Sequence, residues 1–568
     1  MNKRQLKELD RTGRSALKLH ILGAAKSVTG SLFLYEYFEK EKVTRFLVDA
    51  GLTVESPQAD YKKRLPTGLN PKEIDFVILS HAHVDHCGYL PKLVKDGFRG
   101  KVYVTPATYD LMTVILPDSG YLQEEQAKSR LNRFNRQKRD ANEALRTGET
   151  AATGDSKKGF KGKVGRGEKA NDRSGRGKRA GDARKAVAQS TANAPSAADL
   201  ARFAPLYTQE DAQESLKYCK TVKYHERFAV TDSIAFTFTD AGHILGAAVV
   251  NMEIGTGNQK RTFCFTGNVG RRQMPLLRDL EAVQQADYLM LEATYGDRLH
   301  QKRDRLESLA TMVGNAYARA KPRHPRSGCG VIVIPAFAVG RAQTILNDLR
   351  ILMETKRIPV IPVYVDGRMT NKATEVYRKH VDILNPETRK VFEAGHDPYS
   401  TPRQTSVTEY PDSAGLRRIH EEPCIIVGSS GMAAGGRIVD HLAYWLPHKQ
   451  NTVMFVGFQG TGTLGQTIVK TGGERPDTLE QCTDCAKSVR IKGKDVRVHA
   501  TVEFLPDYSA HADYEDQLAW LKKFTRRPKM TFIVHGDVGA LDGLKGHIEE
   551  TLGWKDVVIP EARQTFDL

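Results

Sequence analysis

Hydrophobic and polar positions alternate through the first ordered part of the chain. "ALKLHI" puts Leu17, Leu19 and Ile21 on one side, and "SLFLYEY" resumes the period after a Gly/Ala/Ser cluster. Two strands joined at a turn are predicted. "RFLVDAG" (residues 45–51) predicts a third strand, with Asp49 near its end. "DFVILS" is apolar at successive positions, as in a strand covered on both faces, and runs directly into "HAHVDH", residues 81–86. "KVYVTPATYDLM" predicts a strand then a helix, and residues 123–145 a charged helix. Strand patterns return in "SIAFTFTDAGHILGAAVVNMEI", "RTFCFTGNVG" and "YLMLEATYG". Helical segments such as "ESLATMVGNAYARA" and "RAQTILNDLRILM" then alternate with apolar runs: "GVIVIPAFAVG", "PVYVDG", "CIIVGSSG" and "NTVMFVGFQG". That rhythm predicts a second domain built on a parallel sheet. The tail goes back to strand–loop–helix units and contains "YSAHAD" and "IVHGD". No fixed-period repeat is present.

Composition changes this picture in two places. Residues 150–200 are almost entirely Lys, Arg, Gly, Ala, Ser and Asp. Too little apolar surface is available there to offset ordering entropy, so a disordered insertion is expected. Residues 151–190 carry roughly +8 net, which makes Lys157, Lys161, Arg176 and Arg179 candidate phosphate contacts. The whole chain of 568 residues carries +17, an excess that points to a polyanionic partner. Seven cysteines without framework spacing predict reduced thiols and a cytoplasmic address. Cys482 and Cys485 form a lone CxxC, a weak zinc or redox signal. No apolar run reaches the ~18 residues of a membrane span. The basic opening residues lack the apolar core of a secretory signal.

The hexapeptide at 81–86 carries the chemistry. His81 and His83 stand at i and i+2 in a loop leaving a strand, and in extended backbone both rings point the same way. Asp85 and His86 follow and can face a second ion. Two ions need about seven ligands, so others must come from distant segments. "DAGHILGA" offers His243 and "IVHGD" offers His535, each after an apolar strand and beside a glycine. A lone histidine in such a place is ordinarily structural. Three such placements with one local pattern point to a metal centre.

Taken together, the motifs resemble those of the β-CASP branch of the metallo-β-lactamase superfamily, a group of RNA-processing nucleases. "LGAAKSVTGS", "HAHVDHCGYLP", "AGHILGA", "LEATYGDRLH", "IPAFAVGRAQTIL", "VGSSGMAAGGR", "VGFQGTGTLG", "YSAHAD" and "VHGD" occur in the family's order. The resemblance implies an α/β fold: an αββα metallo-β-lactamase sandwich with an inserted parallel-sheet β-CASP domain. The implied division is a polar leader over 1–15, the sandwich over 16–300 including the basic insertion, the β-CASP domain over 301–500, and a return segment over 501–568. It also implies His81, His83 and His243 as ligands of a first Zn2+ and Asp85, His86 and His535 as ligands of a second. Asp49 would orient a ligand histidine. Glu292 would position His511, whose imidazole would protonate the leaving oxygen. The implied reaction is hydrolysis of single-stranded RNA to a 5′-phosphate and a 3′-hydroxyl by a metal-activated water.

One motif departs from the pattern. The family carries a metal-bridging aspartate where "FTGNVGRR" has Asn268. An amide oxygen coordinates without charge, so weaker occupancy of the second site and lower activity are expected. Asp537 stands where glutamate is commoner. Arg341 and Arg368, beside Gly-rich turns, are candidate RNA contacts. The primary expectation is an endoribonuclease, with 5′-to-3′ exonuclease action as a second mode and a homodimer left open. A catalytically weak RNA-binding or scaffold protein, motivated by Asn268, competes with it. So does a small-molecule metallo-hydrolase of thioesters or lactones, although a long second domain suits a strand better. A DNA nuclease of the same branch is the last option, against which His535 is the RNA-type residue.

Overall fold

The computed structural model describes residues 14–53, 69–147, 196–320, 329–418, 420–460, 462–473 and 487–568. The expected arm residues Lys157, Lys161, Arg176 and Arg179, and the Cys482/Cys485 pair, lie outside the described residues. The chain falls into two compact units, Ser119–Glu210 and the remainder.

Among the described residues the larger unit holds three large sheets and a two-stranded ribbon, Ser488–Ile491 paired antiparallel with Lys494–Arg497. Leu17, Leu19 and Ile21 do alternate inward along the strand Ala16–Ile21, which pairs antiparallel with Leu32–Glu39. That strand pairs with Lys42–Ala50, and Phe76–Ile78 and Lys101–Val104 continue the seven-stranded sheet in parallel. A second seven-stranded sheet is centred on Ala248–Ile254, Arg261–Phe265, Tyr288–Glu292 and Met530–Val534. The two sheets share one core, in which Tyr35 meets Phe263 edge-on at 5.2 Å and Phe33 meets Phe265 at 5.4 Å. This is the expected sandwich.

The third sheet has six parallel strands, ordered Gln404–Val407, Val363–Asp366, Cys424–Gly428, Val331–Pro335, Thr452–Val456, Thr501–Leu505. Its central strands, Cys424–Gly428, Val331–Pro335 and Thr452–Val456, read as nearly unbroken apolar runs because both faces are covered, whereas the edge strands are partly polar. Ile332 and Ile334 pack with the helices Arg305–Ala320 and Arg341–Glu354, while Val331 and Val333 pack with Arg437–Trp445. The expected boundary at residue 500 needs correcting. Thr501–Leu505 pairs in register with Thr452–Val456, so it belongs to this sheet and not to the return segment.

The helices expected near 106 and 123–145 form one helix, Pro106–Thr147, which contains Pro117. Proline at the first helical position supplies the φ a helix needs. Phe134 packs on Phe203 at 5.2 Å, with the Arg202 guanidinium over both rings. Phe203 closes the helix Ala197–Phe203, which begins inside the segment expected to lack structure; the expected limit at 200 is therefore a few residues late.

Candidate metal centre

The expected ligands sit at carboxyl ends of strands, where open α/β sheets usually gather ligands. The 81–86 loop follows Phe76–Ile78, His243 follows Ile234–Asp240, Asn268 follows Arg261–Phe265, and His535 follows Met530–Val534. Glu292 ends its own strand, and His511 follows Thr501–Leu505 of the parallel sheet. The loops approach closely. A Cβ on Gly51 would lie 1.7 Å from the Asp85 carbonyl oxygen, so only glycine lets the 81–86 loop pass. Asp49 and His535 hold positive φ, at 60° and 54°, a strained backbone often found where a side chain must be aimed.

Two triads result. His81, His83 and His243 each offer one nitrogen, and these atoms lie within 4.8 Å of one another; Asp85, His86 and His535 do the same. In the first triad, His83 Nδ1 is 3.1 Å from His81 Nε2 and 3.3 Å from His243 Nε2. In the second, His535 Nε2 is 3.2 Å from both His86 Nε2 and Asp85 Oδ2, and His86 Nε2 is 3.5 Å from that oxygen. Ligands about 2.0–2.1 Å from a tetrahedral zinc are separated by roughly 3.3–3.4 Å. The spacings match such an edge. Hydrogen bonding alone does not account for three nitrogens converging, since His83 Nδ1 faces two others at once. The donor set therefore fits a pair of divalent cations.

Electrostatics agree. Burial, with neighbouring imidazoles adding to it, holds His81 and His243 well below the usual imidazole range. Burial also brings His83 down to about 4 although Asp85 opposes it. All three are therefore neutral near pH 7 with lone pairs available. Burial pushes the Asp85 carboxyl up, but His86 and His535 beside it outweigh this and keep it ionised. Burial lowers His86, and Asp85 and Asp49 reverse the effect and raise it.

Asp49 organises both triads. Its Oδ2 lies 2.6 Å from His86 Nδ1 and accepts the Ser80 hydroxyl at 3.0 Å. Ser80 Oγ in turn accepts from His81 Nδ1 at 3.0 Å. Both rings are thereby set with Nε2 bare toward the centre, as ligand histidines require. Ser80 went unnoticed in the sequence; its position directly before His81 was the available signal. Thr294 was missed too: its hydroxyl lies 3.3 Å from His535 Nδ1.

Beside the triads, His511 Nδ1 is 2.9 Å from Glu292 Oε1. Glu292 also accepts the N–H groups of Val269 and Thr294 at 3.0 and 2.8 Å. Burial pushes its carboxyl up, but His511 more than compensates and holds it at about 2. The His511 ring is 4.6 Å from His243. Asn268 is buried, and its Oδ1 has no hydrogen-bond partner among the described residues, as expected of an atom aimed at an ion. His243 Nδ1 is also buried without a partner among the described residues, while its Nε2 faces His83. Asp537 caps the next helix, accepting from Ala540 N–H at 3.0 Å.

The two arginines differ. Arg341 donates to the Val456 carbonyl and packs over Phe337, and burial lowers its guanidinium to about 10. No described carboxylate pairs with it. Arg368 is exposed and already bonded to Glu409 at 3.1 Å.

Residues 44–168 match a beta-lactamase superfamily domain, 342–468 a Beta-Casp domain, and 495–560 a Zn-dependent metallo-hydrolase RNA specificity domain. Ribonuclease TTHA0252 of Thermus thermophilus is 28% identical, covering 92% of this chain and 95% of its own. Transcription termination factor FttA of Methanosarcina mazei is 27% identical, covering 94% and 69%. An RNase J-like protein of Methanocaldococcus jannaschii is 25% identical, covering 87% of each. With three domain matches in order and two three-ligand clusters where strands of both sandwich sheets end, the chain belongs to the β-CASP branch of the metallo-β-lactamase superfamily of metal-dependent hydrolases.

Proposed function

We propose that the protein is a zinc-dependent endoribonuclease acting on single-stranded RNA. The observation that carries this is the pair of triads at zinc-ligand spacing, set beside a Glu292–His511 pair. His81, His83 and His243 would hold one ion, and Asp85, His86 and His535 the other, with the unpartnered Asn268 amide oxygen as a further donor. Bound zinc supplies an activated water and stabilises charge on phosphoryl oxygens.

The chain's own groups do the rest. Glu292 accepts the Nδ1–H of His511 in a hydrogen bond, which leaves Nε2 as the nitrogen free to hold and pass on a proton. Protonated there, His511 delivers a proton to the departing 3′-oxygen, leaving a 5′-phosphate on the other fragment. Arg341, a half-buried cation without a carboxylate partner among the described residues, is suited to a backbone phosphate. RNA as substrate is supported by the RNA specificity domain match and by the ribonuclease relative. A cytoplasmic location fits the five described cysteines, all free. Among the described residues no helix is long and apolar enough to cross a membrane.

End-labelled single-stranded RNA and DNA, with and without chelator, test the reading. RNA cleavage abolished by chelator and restored by zinc is expected, with DNA left intact and two zinc ions per chain by metal analysis. Protein that retains no metal overturns it. The buried amide at 268 favours one second reading, a catalytically weak RNA-binding protein, for which RNA is bound with full metal occupancy and not cut.

A further inference from the structure

Close to His511 stand side chains that the chemistry above leaves unused. The Tyr295 ring lies 6.3 Å from His511 at an interplanar angle of 14°, and 4.8 Å from His300 at 30°. His300 Nε2 reaches the His511 carbonyl at 2.8 Å, and its backbone N–H donates to Asp513 Oδ2 at 2.9 Å. Tyr295 is buried, and the stack around it holds the His511 loop. Phe458 extends it outward. Its ring is 6.2 Å from Tyr295, edge-on at 68°, and the Arg298 guanidinium lies 5.4 Å from the Tyr295 centroid and 6.0 Å from that of Phe458.

Phe458 differs from the phenylalanines of the sandwich core. It is only partly buried and stands on the Gly-rich turn after Thr452–Val456. The turn is held in place: Gln459 Nε2 donates to the carbonyls of Phe458 at 3.1 Å, Gly457 at 3.3 Å and Gly431 at 3.1 Å. Gly457 has φ +87°, and a Cβ there would lie 2.1 Å from Arg341 Nη1. The phosphate-seeking guanidinium and the aromatic ring are thus fixed by adjacent residues of one turn. Partly exposed apolar area has a cost in water, and beside a polar centre it calls for an occupant.

We propose that Phe458, flanked by Arg298, is a stacking ledge for an unpaired nucleobase next to the scissile phosphodiester. The proposal rests on the nuclease reading and adds the selectivity for single strands. Every base has a π face, so stacking on a ring next to a cation accepts any sequence. A base inside a duplex has its faces covered by its neighbours and has none to offer. The ledge therefore admits unpaired strands without reading their sequence.

The test is binding by chelator-treated full-length protein, at fixed salt, of a single-stranded RNA and of an equally long chain of abasic ribose phosphates. Phe458→Leu keeps apolar bulk but removes the π face, and Phe458→Trp keeps the face. Phe458→Leu is expected to weaken binding of the base-carrying strand about tenfold and leave the abasic strand unchanged. Phe458→Trp is expected to bind both as wild type does. Leucine binding RNA like wild type, or losing affinity equally for both strands, overturns the ledge. Wild-type protein that binds neither strand overturns the ledge together with RNA as substrate. Wild-type protein that prefers the base-carrying strand through Phe458, yet cuts no RNA once zinc is restored, supports the ledge and defeats the nuclease reading alone.

Discussion

A single charge separates Asn268 from the aspartate of the family pattern. Its amide oxygen is buried and unpartnered among the described residues, so replacing it by a carboxylate changes charge more than shape. Asn268→Asp is expected to raise zinc affinity by about tenfold or more, because an anion then neutralises part of two adjacent dications. Faster RNA cleavage should accompany it. A metal titration with unchanged stoichiometry and affinity would show that the amide already suffices. Ser80 makes a second test. Its hydroxyl links Asp49 to His81, and groups that orient metal ligands typically contribute 10–100-fold to affinity. Ser80→Ala is expected to lose about that much by competition with a chromogenic chelator, and to melt at a lower temperature because buried His81 Nδ1 loses its partner. These partners were hard to read in advance. A histidine announces itself by chemical type, whereas a serine that supports it is one of many until its distance is known.

At the level of elements, the strand ends position the ligands, and one helix of the parallel-sheet domain reaches back to steady them. Tyr377, buried on the helix Arg368–Lys379, accepts a hydrogen bond from Leu245 N–H at 3.3 Å, two residues beyond His243. Tyr377→Phe removes that acceptor and leaves a buried amide unpaired, a cost of about 1–3 kcal/mol. Melting at a lower temperature is expected, with weaker binding of one ion of the two. Equal affinity for both ions would show that the loop is held by other groups. Periodicity located the main strands because buried sheets leave continuous or alternating apolar runs. It missed Gln404–Val407, Cys219–Thr221 and Thr565–Asp567, short and partly polar strands whose pairing comes from neighbours already in place.

Across the whole molecule, the basic excess and the catalytic centre are separate features of the chain. Deleting residues 150–195 removes much of that excess while sparing Phe203, which packs on Phe134. RNA binding at low salt should weaken, and the slope of log affinity against log salt should fall by about 0.7 for each RNA phosphate that the segment no longer neutralises. An unchanged melting temperature is expected, and a large drop would assign the segment a structural role. The sequence by itself determined the chemical inventory: a ligand-rich hexapeptide, remote histidines after apolar strands, a basic segment and one amide in place of a carboxylate. These are properties of residue type and local order, which survive in one dimension. Only the tertiary structure decided which atoms meet. It brought His243 and His535 within a zinc ligand's spacing of the hexapeptide, put Thr501–Leu505 in the parallel sheet, and set Phe458 beside the Tyr295–His511 stack. Such meetings join residues hundreds of positions apart and depend on sheet packing and close backbone approach, for which no local pattern stands in.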